Sequence, residues 1–527
     1  MTIALVLFVA LALGVPLFVV IGCVAALAFS LYGGVEGFEG MQILVVKMVG
    51  LTSKNVFLAI PFFVVSGALM SAGSIAARLV EVADALVGWM RGGLAVASVV
   101  ASVVFAAISG SSPVTLIAIG GIMFPAMLKA GYREKFSLGL LTTAGSLGCL
   151  VPPSIPMLVY AISVTGTAAV DVRELFMAGL GPAVLIAALL SIYAVLRAGP
   201  VAQHKRFSLG TLGQAMRRGV WALFLPVLVL GGIYGGVFTA TEASAMSVVY
   251  AVVVEVGIHR SLQISALPGV LVGAISSMGG LLLVILLSFA INDFLVDREV
   301  GQLALEIVQR WGLGPVGFMI AINLFLIVTG MFMDSISAIV LFTPIIAPAA
   351  VALGIDPLHL GVVFIVNMEI GYLAPPIATN LFVASTIFKR PFGLVTRAVM
   401  PTLGILCGGL LLVTYVPTLS IGPVHALRGG SIYQPFAAGA GAQKPPLVAP
   451  VAPPAPSPTG SRPDAGPGRV LTLAELQRLA EARRADAGAA RPDGGVADAP
   501  RARVLTLEEL QRIAEARRAD AGVDAAR

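Results

Sequence analysis

Residues 267–292 run for 26 positions without a charged side chain. Such a run outlasts any strand and matches the thickness of a bilayer's hydrocarbon core, about 20 helical residues. Apolar segments long enough to span recur at 3–30, 53–72, 136–165, 175–196, 217–238, 242–258, 358–388 and 393–417. Lipid offers backbone amides no partner, so only helices and closed barrels cross it, and these runs are far too long for barrel strands. The chain therefore reads as an all-α polytopic membrane protein. Its composition agrees: 58% hydrophobic, 11% charged, mean hydropathy +0.98. The opening "MTIALVLFVALALGVPLFVV" lacks a basic stretch and a cleavage site, and reads as a first span rather than a signal peptide.

Two further stretches, 93–130 and 315–353, are each long enough for two passes but are interrupted centrally by "ISGSSP" and "GMFMDSIS". Both read as re-entrant hairpins whose tips stop inside the protein. Amphipathic segments precede them, "IAARLVEVADALVGWMRG" and "REVGQLALEIVQRWGLG", suited to lying along the membrane surface.

The chain also repeats. Shifted by 223 residues, Ser112 meets Ser335, Pro125 meets Pro348 and Gly131 meets Gly354. In the same register Gly148 meets Gly371, and Pro152 and Pro153 meet Pro375 and Pro376. This gives repeat one at about 1–197 and repeat two at about 240–417, with membrane domain 1–417, a Pro/Ala-rich linker 418–468 and a tail 469–527. Loop charge orients the copies. The segment 197–218 has five Lys or Arg and no acid, which places it in the cytoplasm. Counting spans from it puts "GYREK" (131–135) and "FKR" (388–390) inside and "GIDPLH" (354–359) outside, so the hairpins enter from opposite sides. Inverted repeats with hairpins and broken helices mark a secondary transporter, with its sites near the midplane.

The proline pairs suggest what the breaks do. Proline has no N–H, so Pro152 and Pro153 should release the carbonyls of Gly148 and Cys149, and Pro375 and Pro376 those of Gly371 and Tyr372. A carbonyl unsatisfied in hydrocarbon costs several kcal/mol, and a dehydrated sodium ion would satisfy it, oxygen being the ligand of hard cations. The hairpin tips add oxygens: Ser109, Ser111 and Ser112 in one, Asp334, Ser335 and Ser337 in the other. A simple kink satisfied by nearby hydroxyls or water is the competing reading. An acid inside a membrane segment, as at Asp334, marks a functional position. Glu369 and Glu242 could each line a water-filled cavity or cap a helix.

Other chemistry finds little support. Cys23, Cys149 and Cys407 all lie in apolar segments, with no metal or disulfide spacing. The histidines fall at segment ends or in the tail, so an intramembrane hydrolase using Ser111 or Ser112 lacks a base in the interior of a span. The mild net charge of +6 fits positive inner loops, not nucleic acid. In the tail "RVLTLAELQRLAEARRADAG" (469–488) recurs 34 residues later, each copy opening on a capping box, Thr472 with Glu475 and Thr506 with Glu509. A docking helix pair and a dispensable extension both fit.

Seven motifs together resemble the large membrane subunit of the tripartite ATP-independent periplasmic (TRAP) transporters, the DctM-like family. They are "AIPFFVVSGALM" (59–70), "SGSSPVT" (109–115), "GCLVPPSIPMLVY" (148–160), "GGVFTATEASA" (235–245), "GMFMDSISAIVLFTPIIAP" (330–348), "GIDPLHLGVV" (354–363) and "IGYLAPPIATNLFV" (370–383). Departures are small: Ala374 where the family usually has Thr, and Ile377 where Val is common. The resemblance implies a sodium-driven importer of the bacterial inner membrane, not an enzyme, with no cofactor beyond the coupling ion. It implies an organic anion, such as a dicarboxylate, brought by a periplasmic binding protein. It also implies a separate small four-helix membrane subunit and elevator-type motion. By the family's pattern one sodium site uses Ser109, Ser111 and the carbonyls of Gly148, Val151 and Pro153. The repeat places its counterpart around Asp334, Ser335, Gly371, Ala374 and Pro376, with substrate between them near Ser154, Thr379 and Asn380. A stand-alone anion symporter of the same superfamily is the alternative.

Overall fold

The protein is described from a computed structural model covering residues 17–32, 38–52, 56–164, 167–199, 207–298, 300–376, 378–433 and 435–436. The tail repeats and most of the Pro/Ala-rich linker lie outside these residues. Among the described residues the regular elements are all helical.

Among the described residues repeat one begins with α1 (Leu17–Tyr32), α2 (Phe38–Thr52) and α3 (Val56–Ala72). The sequence reading passes over α2, whose Lys47 interrupts an otherwise apolar run and pairs with Asp293 at 3.3 Å and Asp297 at 3.5 Å. The amphipathic arm α4 (Ile75–Val87) follows. The first hairpin is α5 (Gly93–Ser109) and α6 (Ser112–Lys129), the latter carrying a π-helical turn at Leu116–Gly120. The expected single span 136–165 is two helices, α7 (Glu134–Ser146) and α8 (Ile155–Ser163), joined by a 3-10 turn and the proline pair. Then come α9 (Val172–Arg197) and the linking span α10 (Leu209–Tyr234).

Repeat two follows the same order, except that two helices rather than three precede its arm. After α11 (Ala240–Val252, continued by a π-helical turn to Ile258) and α12 (Leu267–Asp297) come the arm α13 (Val300–Arg310) and the hairpin α14 (Pro315–Gly330) and α15 (Ser335–Ala352). The second broken helix is α16 (Pro357–Gly371) and α17 (Thr379–Phe388), and α18 (Phe392–Tyr415) completes the repeat. The expected 223-residue register holds to the residue where it matters: α6 and α15 begin at Ser112 and Ser335, and α7 and α16 at Glu134 and Pro357.

Packing does not stop at residue 417, where the sequence reading starts a linker. A further helix, α19 (Thr418–Leu427), buries Ser420, Ile421 and Val424. Ser420 Oγ lies 2.7 Å from Nδ1 of the buried His359, and Arg428 pairs with Glu174.

The inversion of the repeats is visible in three contacts along the broken helices. Arg390, just past the end of α17, pairs with Glu134 at the start of α7. The Tyr160 hydroxyl in α8 donates to the Pro357 carbonyl at the start of α16, 2.8 Å away. Between them Ser146 Oγ sits 2.7 Å from Glu369 Oε1, and these two positions are themselves repeat counterparts. Start meets end at both extremes, so the two broken helices run antiparallel. The loops at 131–135 and 388–390 thus share one end of the molecule, as the span count requires.

Burial separates core from lipid-facing elements. Every residue of α16 from Leu358 to Gly371 is buried, as are all of α8 and α7 from Phe136. These helices are buried all round and carry their polar side chains, His359, Asn367 and Glu369 among them, into the interior. In contrast α9 and α12 leave Val184, Leu196, Val272 and Ile275 more than half exposed, a surface suited only to hydrocarbon. The breaks thus sit where irregular backbone is tolerated, inside protein rather than against lipid.

Candidate functional site

The first hairpin tip is a two-residue break, Gly110 and Ser111, between α5 and α6. Gly110 has φ +59°, a left-handed conformation costly to other residues. A side chain there is excluded on a second count, since a Cβ would lie 2.5 Å from the Pro153 carbonyl oxygen. The Gly110 carbonyl accepts from the Ile155 amide at 3.2 Å. From the other side, a Cβ on Gly148 would lie 2.5 Å from the Ser111 carbonyl oxygen. Tip and broken helix are therefore in backbone contact, and both glycines exist for that approach.

The tip's side chains close a small oxygen cluster. Ser109 Oγ is 2.8 Å from Thr115 Oγ1, and the Thr115 hydroxyl donates to the Ser111 carbonyl at 2.9 Å. Ser109, Ser112 and Thr115 are fully buried. Of the residues expected here, Ser109, Ser111, Gly148 and Pro153 come together; Val151 is buried in the same break, its amide bonded to the Leu147 carbonyl at 3.0 Å. Thr115 was missed, although "SPVT" places a hydroxyl one turn from Ser111, where helical spacing brings it back to the tip.

The second tip is built differently. Gly371 approaches Gly330: a Cβ on Gly371 would lie 2.6 Å from the Gly330 backbone. Asp334 caps α15, one carboxylate oxygen accepting from the Ile336 and Ser337 amides at 3.1 Å each. Its other oxygen accepts from the Ser337 hydroxyl at 2.6 Å. Ser335 Oγ lies 2.6 Å from the Tyr372 hydroxyl, a partner the sequence reading missed.

The released carbonyls are not all free, which corrects the sequence expectation. The Ser154 hydroxyl donates to the Cys149 carbonyl, the Ala374 amide to Gly371 at 3.2 Å, and the Asn380 amide to Tyr372 at 3.2 Å. The chain satisfies these groups locally because a proline turn brings later amides and hydroxyls back within reach. Each carbonyl still has a second lone pair. Both Pro–Pro bonds, 152–153 and 375–376, are cis.

The residues expected at the substrate are not alike. Ser154 is fully buried and caps α8. Thr379 is exposed at the start of α17, and Pro376 is exposed beside it. Asn380 is fully buried and donates through Nδ2 to Ser112 Oγ at 2.5 Å, joining repeat two's broken helix to repeat one's hairpin. No hydrogen bond joins the three to one another among the described residues. The two undecided acids separate cleanly. Glu242 is exposed and closes a capping box with Thr239, which "TATE" announces. Glu369 is fully buried between the repeats on Ser146, with Oε2 unpartnered.

Comparison with known proteins agrees with this architecture. Residues 4–419 match the family described as "Tripartite ATP-independent periplasmic transporter, DctM component". The chain is 40% identical over 387 residues to the C4-dicarboxylate TRAP transporter large permease protein DctM of Pseudomonas aeruginosa, covering 73% of this chain and 89% of that one. It is 35% identical over 418 residues to the ectoine TRAP transporter large permease protein TeaC of Halomonas elongata, covering 78% and 95%. Among solved structures, the Alcanivorax borkumensis YdaH transporter shares the fold at TM-score 0.55 and 14% identity, over 79% of this chain and 99% of that one. The protein is a multi-pass protein of the bacterial inner membrane and no enzyme: it belongs to the family of TRAP transporter large permeases.

Proposed function

We propose that this chain carries out sodium-coupled uptake of an organic anion, a carboxylate, delivered by a periplasmic binding protein. A small four-helix membrane subunit completes the complex. The observation that carries the reading is the backbone contact between the first hairpin tip and the first broken helix. It brings the Pro153 carbonyl up to Gly110 and the Ser111 carbonyl up to Gly148, beside the buried, neutral hydroxyls of Ser109 and Thr115. Neutral oxygens suit a small hard cation. Sodium would be held there by Ser109, Ser111, Gly148, Val151 and Pro153. In repeat two Asp334, Ser335, Gly371, Ala374 and Pro376 would serve, through the second lone pairs left by the local bonds. The exposed Thr379 and Pro376 mark the side from which substrate would reach Asn380 and Ser154.

The carboxylate class follows the C4-dicarboxylate relative; the ectoine relative shows that the family's solutes vary. The test is radiolabelled uptake into proteoliposomes under an inward sodium gradient, omitting one component at a time. The lone chain should be inactive. Adding the small subunit and the loaded binding protein should restore sodium-dependent uptake, with neither sufficient singly. Robust uptake by the lone chain would establish the stand-alone symporter instead.

A further inference from the structure

The arm α4 carries the first hairpin, and its beginning is held by a residue from the other repeat. Between α3 and α4 the chain turns through 71° at Gly73 and Ser74. Such a bend leaves the first amides of α4 without helical partners, and the Ser74 side chain does not cap them. The Glu255 carboxylate does. Its Oε1 accepts from the Ser74 and Ile75 amides at 2.8 Å each, and its Oε2 from the Ser74 amide at 2.9 Å and the Ser74 hydroxyl at 3.1 Å. The Ser261 hydroxyl donates to the same oxygen. Glu255 is fully buried.

Three features show that this contact is built rather than incidental. Glu255 sits in the π-helical turn Val253–Ile258, whose extra residue per turn re-aims a side chain. Gly73 makes room, since a Cβ there would lie 2.1 Å from the Glu255 carboxyl carbon. Arg78, one turn into α4, donates to the Arg218 carbonyl of α10 at 2.8 Å, a second tie to the spans. His259 Nδ1 is 4.0 Å from Glu255 and 3.0 Å from Ser74 Oγ. Burial, and then the Arg78 guanidinium, hold its imidazole below the usual histidine range against the pull of Glu255. The carboxylate's partners near neutrality are therefore amides and hydroxyls.

At its other end α4 meets a turn of three glycines, Gly88, Gly92 and Gly93, with Gly92 at φ +70°. We propose that Glu255 is a positioning residue that pins the start of α4 to α11. Displacement of the first hairpin against the spans is then taken up in the turn at Gly88–Gly93, not at the Gly73–Ser74 bend. In repeat two the register puts Asp297, paired with Lys47 at 3.5 Å and largely exposed, in the place of Ser74, and Tyr32 in the place of Glu255. This inference uses the transport reading only for its consequence; its primary test needs no transport.

The primary test places nitroxides at Glu81→Cys in α4 and Gln214→Cys in α10 of the full chain, in an otherwise cysteine-free background. Distances are measured by pulsed electron resonance with and without sodium. The expected result is one narrow distribution under both conditions, broadened by Glu255→Ala and partly narrowed again in Glu255→Gln, which keeps one acceptor oxygen. An unchanged distribution in a folded Glu255→Ala protein overturns the proposal, and Glu255→Gln serves the same purpose if alanine prevents folding. In the reconstituted complex Glu255→Ala should lower maximal uptake about tenfold with half-saturating sodium unchanged, because the pin lies away from the ion. An equal shift in both quantities would place Glu255 in the ion site instead. Absence of uptake by the unmodified complex would count against the transport reading and leave the distance result standing.

Discussion

The two hairpin tips share a backbone and differ in chemistry. In register, Ser109, Ser111, Ser112 and Thr115 of the first face Phe332, Asp334, Ser335 and Ala338 of the second. The first tip therefore has a buried chain of hydroxyls and carbonyls with no formal charge. The second has an acid that caps its own helix, a serine on Tyr372, and a break that exposes Pro376 and Thr379. Prolines and close-approach glycines are what the repeats kept, because they fix the break; the side chains around the break were free to diverge. On this comparison we propose that a dehydrated ion is held first at the neutral tip, with solvent access at the charged one.

The sharpest way to break that assignment is to wedge each tip from its broken helix. Gly148→Ala and Gly371→Ala both drive a Cβ into backbone, at 2.5 Å from the Ser111 oxygen and 2.6 Å from Gly330. No rotamer change relieves a backbone clash, so each should cost about 2 kcal/mol, about thirtyfold in an equilibrium. In Gly148→Ala the loss should appear as a raised half-saturating sodium concentration. In Gly371→Ala the rise in half-saturating sodium should be smaller, with more of the loss appearing as lowered thermal stability. Identical sodium titrations for the two variants would show that the tips do not differ in the way proposed.

A smaller effect separates cap from charge at Asp334. Asp334→Ala removes the acceptor of two helix amides and a hydroxyl, worth about 1 kcal/mol of stability. It should cut uptake about tenfold, equivalent to about 1.4 kcal/mol, with membrane insertion intact. Asp334→Asn keeps an oxygen for the amides, so stability should recover while sodium-dependent uptake stays low. Full recovery of uptake in Asp334→Asn would leave Asp334 a helix cap and nothing more.

What the sequence showed, and what it hid, follows from which forces act locally. Span length, the proline breaks and the 223-residue register were legible because they are written in hydropathy and in Gly, Pro and Ser positions that the backbone needs. The helix starts at Ser112 and Ser335 bear that out. Loop charge and span counting put the loops that carry Glu134 and Arg390 on one side, where the two residues meet. Contacts set by tertiary packing were not legible. Nothing near Glu255 announces that it caps a helix 181 residues away. Tyr372 looked like a released carbonyl, and its hydroxyl carries the contact to Ser335. Lys47 in α2 has its acids in α12, far along the chain.

The finest test moves one hydroxyl. Thr115 Oγ1 touches both Ser109 Oγ and the Ser111 carbonyl, at 2.8 and 2.9 Å, and repeat two has Ala338 in its place. Thr115→Val keeps the buried volume and removes only the polar atom, so the tip should keep its fold. A hydrogen bond of this kind is worth about 1 kcal/mol net, which predicts a roughly fivefold rise in half-saturating sodium with maximal uptake unchanged. The hydroxyl acts by holding the Ser111 carbonyl and the Ser109 side chain in one geometry, so its loss loosens the ion's ligands without touching the backbone contact. Ala338→Thr should change neither quantity, because its neighbour in the register is Phe332 and no second hydroxyl stands where Ser109 does. If Thr115→Val leaves the sodium titration of uptake unaltered, the neutral cluster is a packing device and the ion belongs to the tip that carries Asp334.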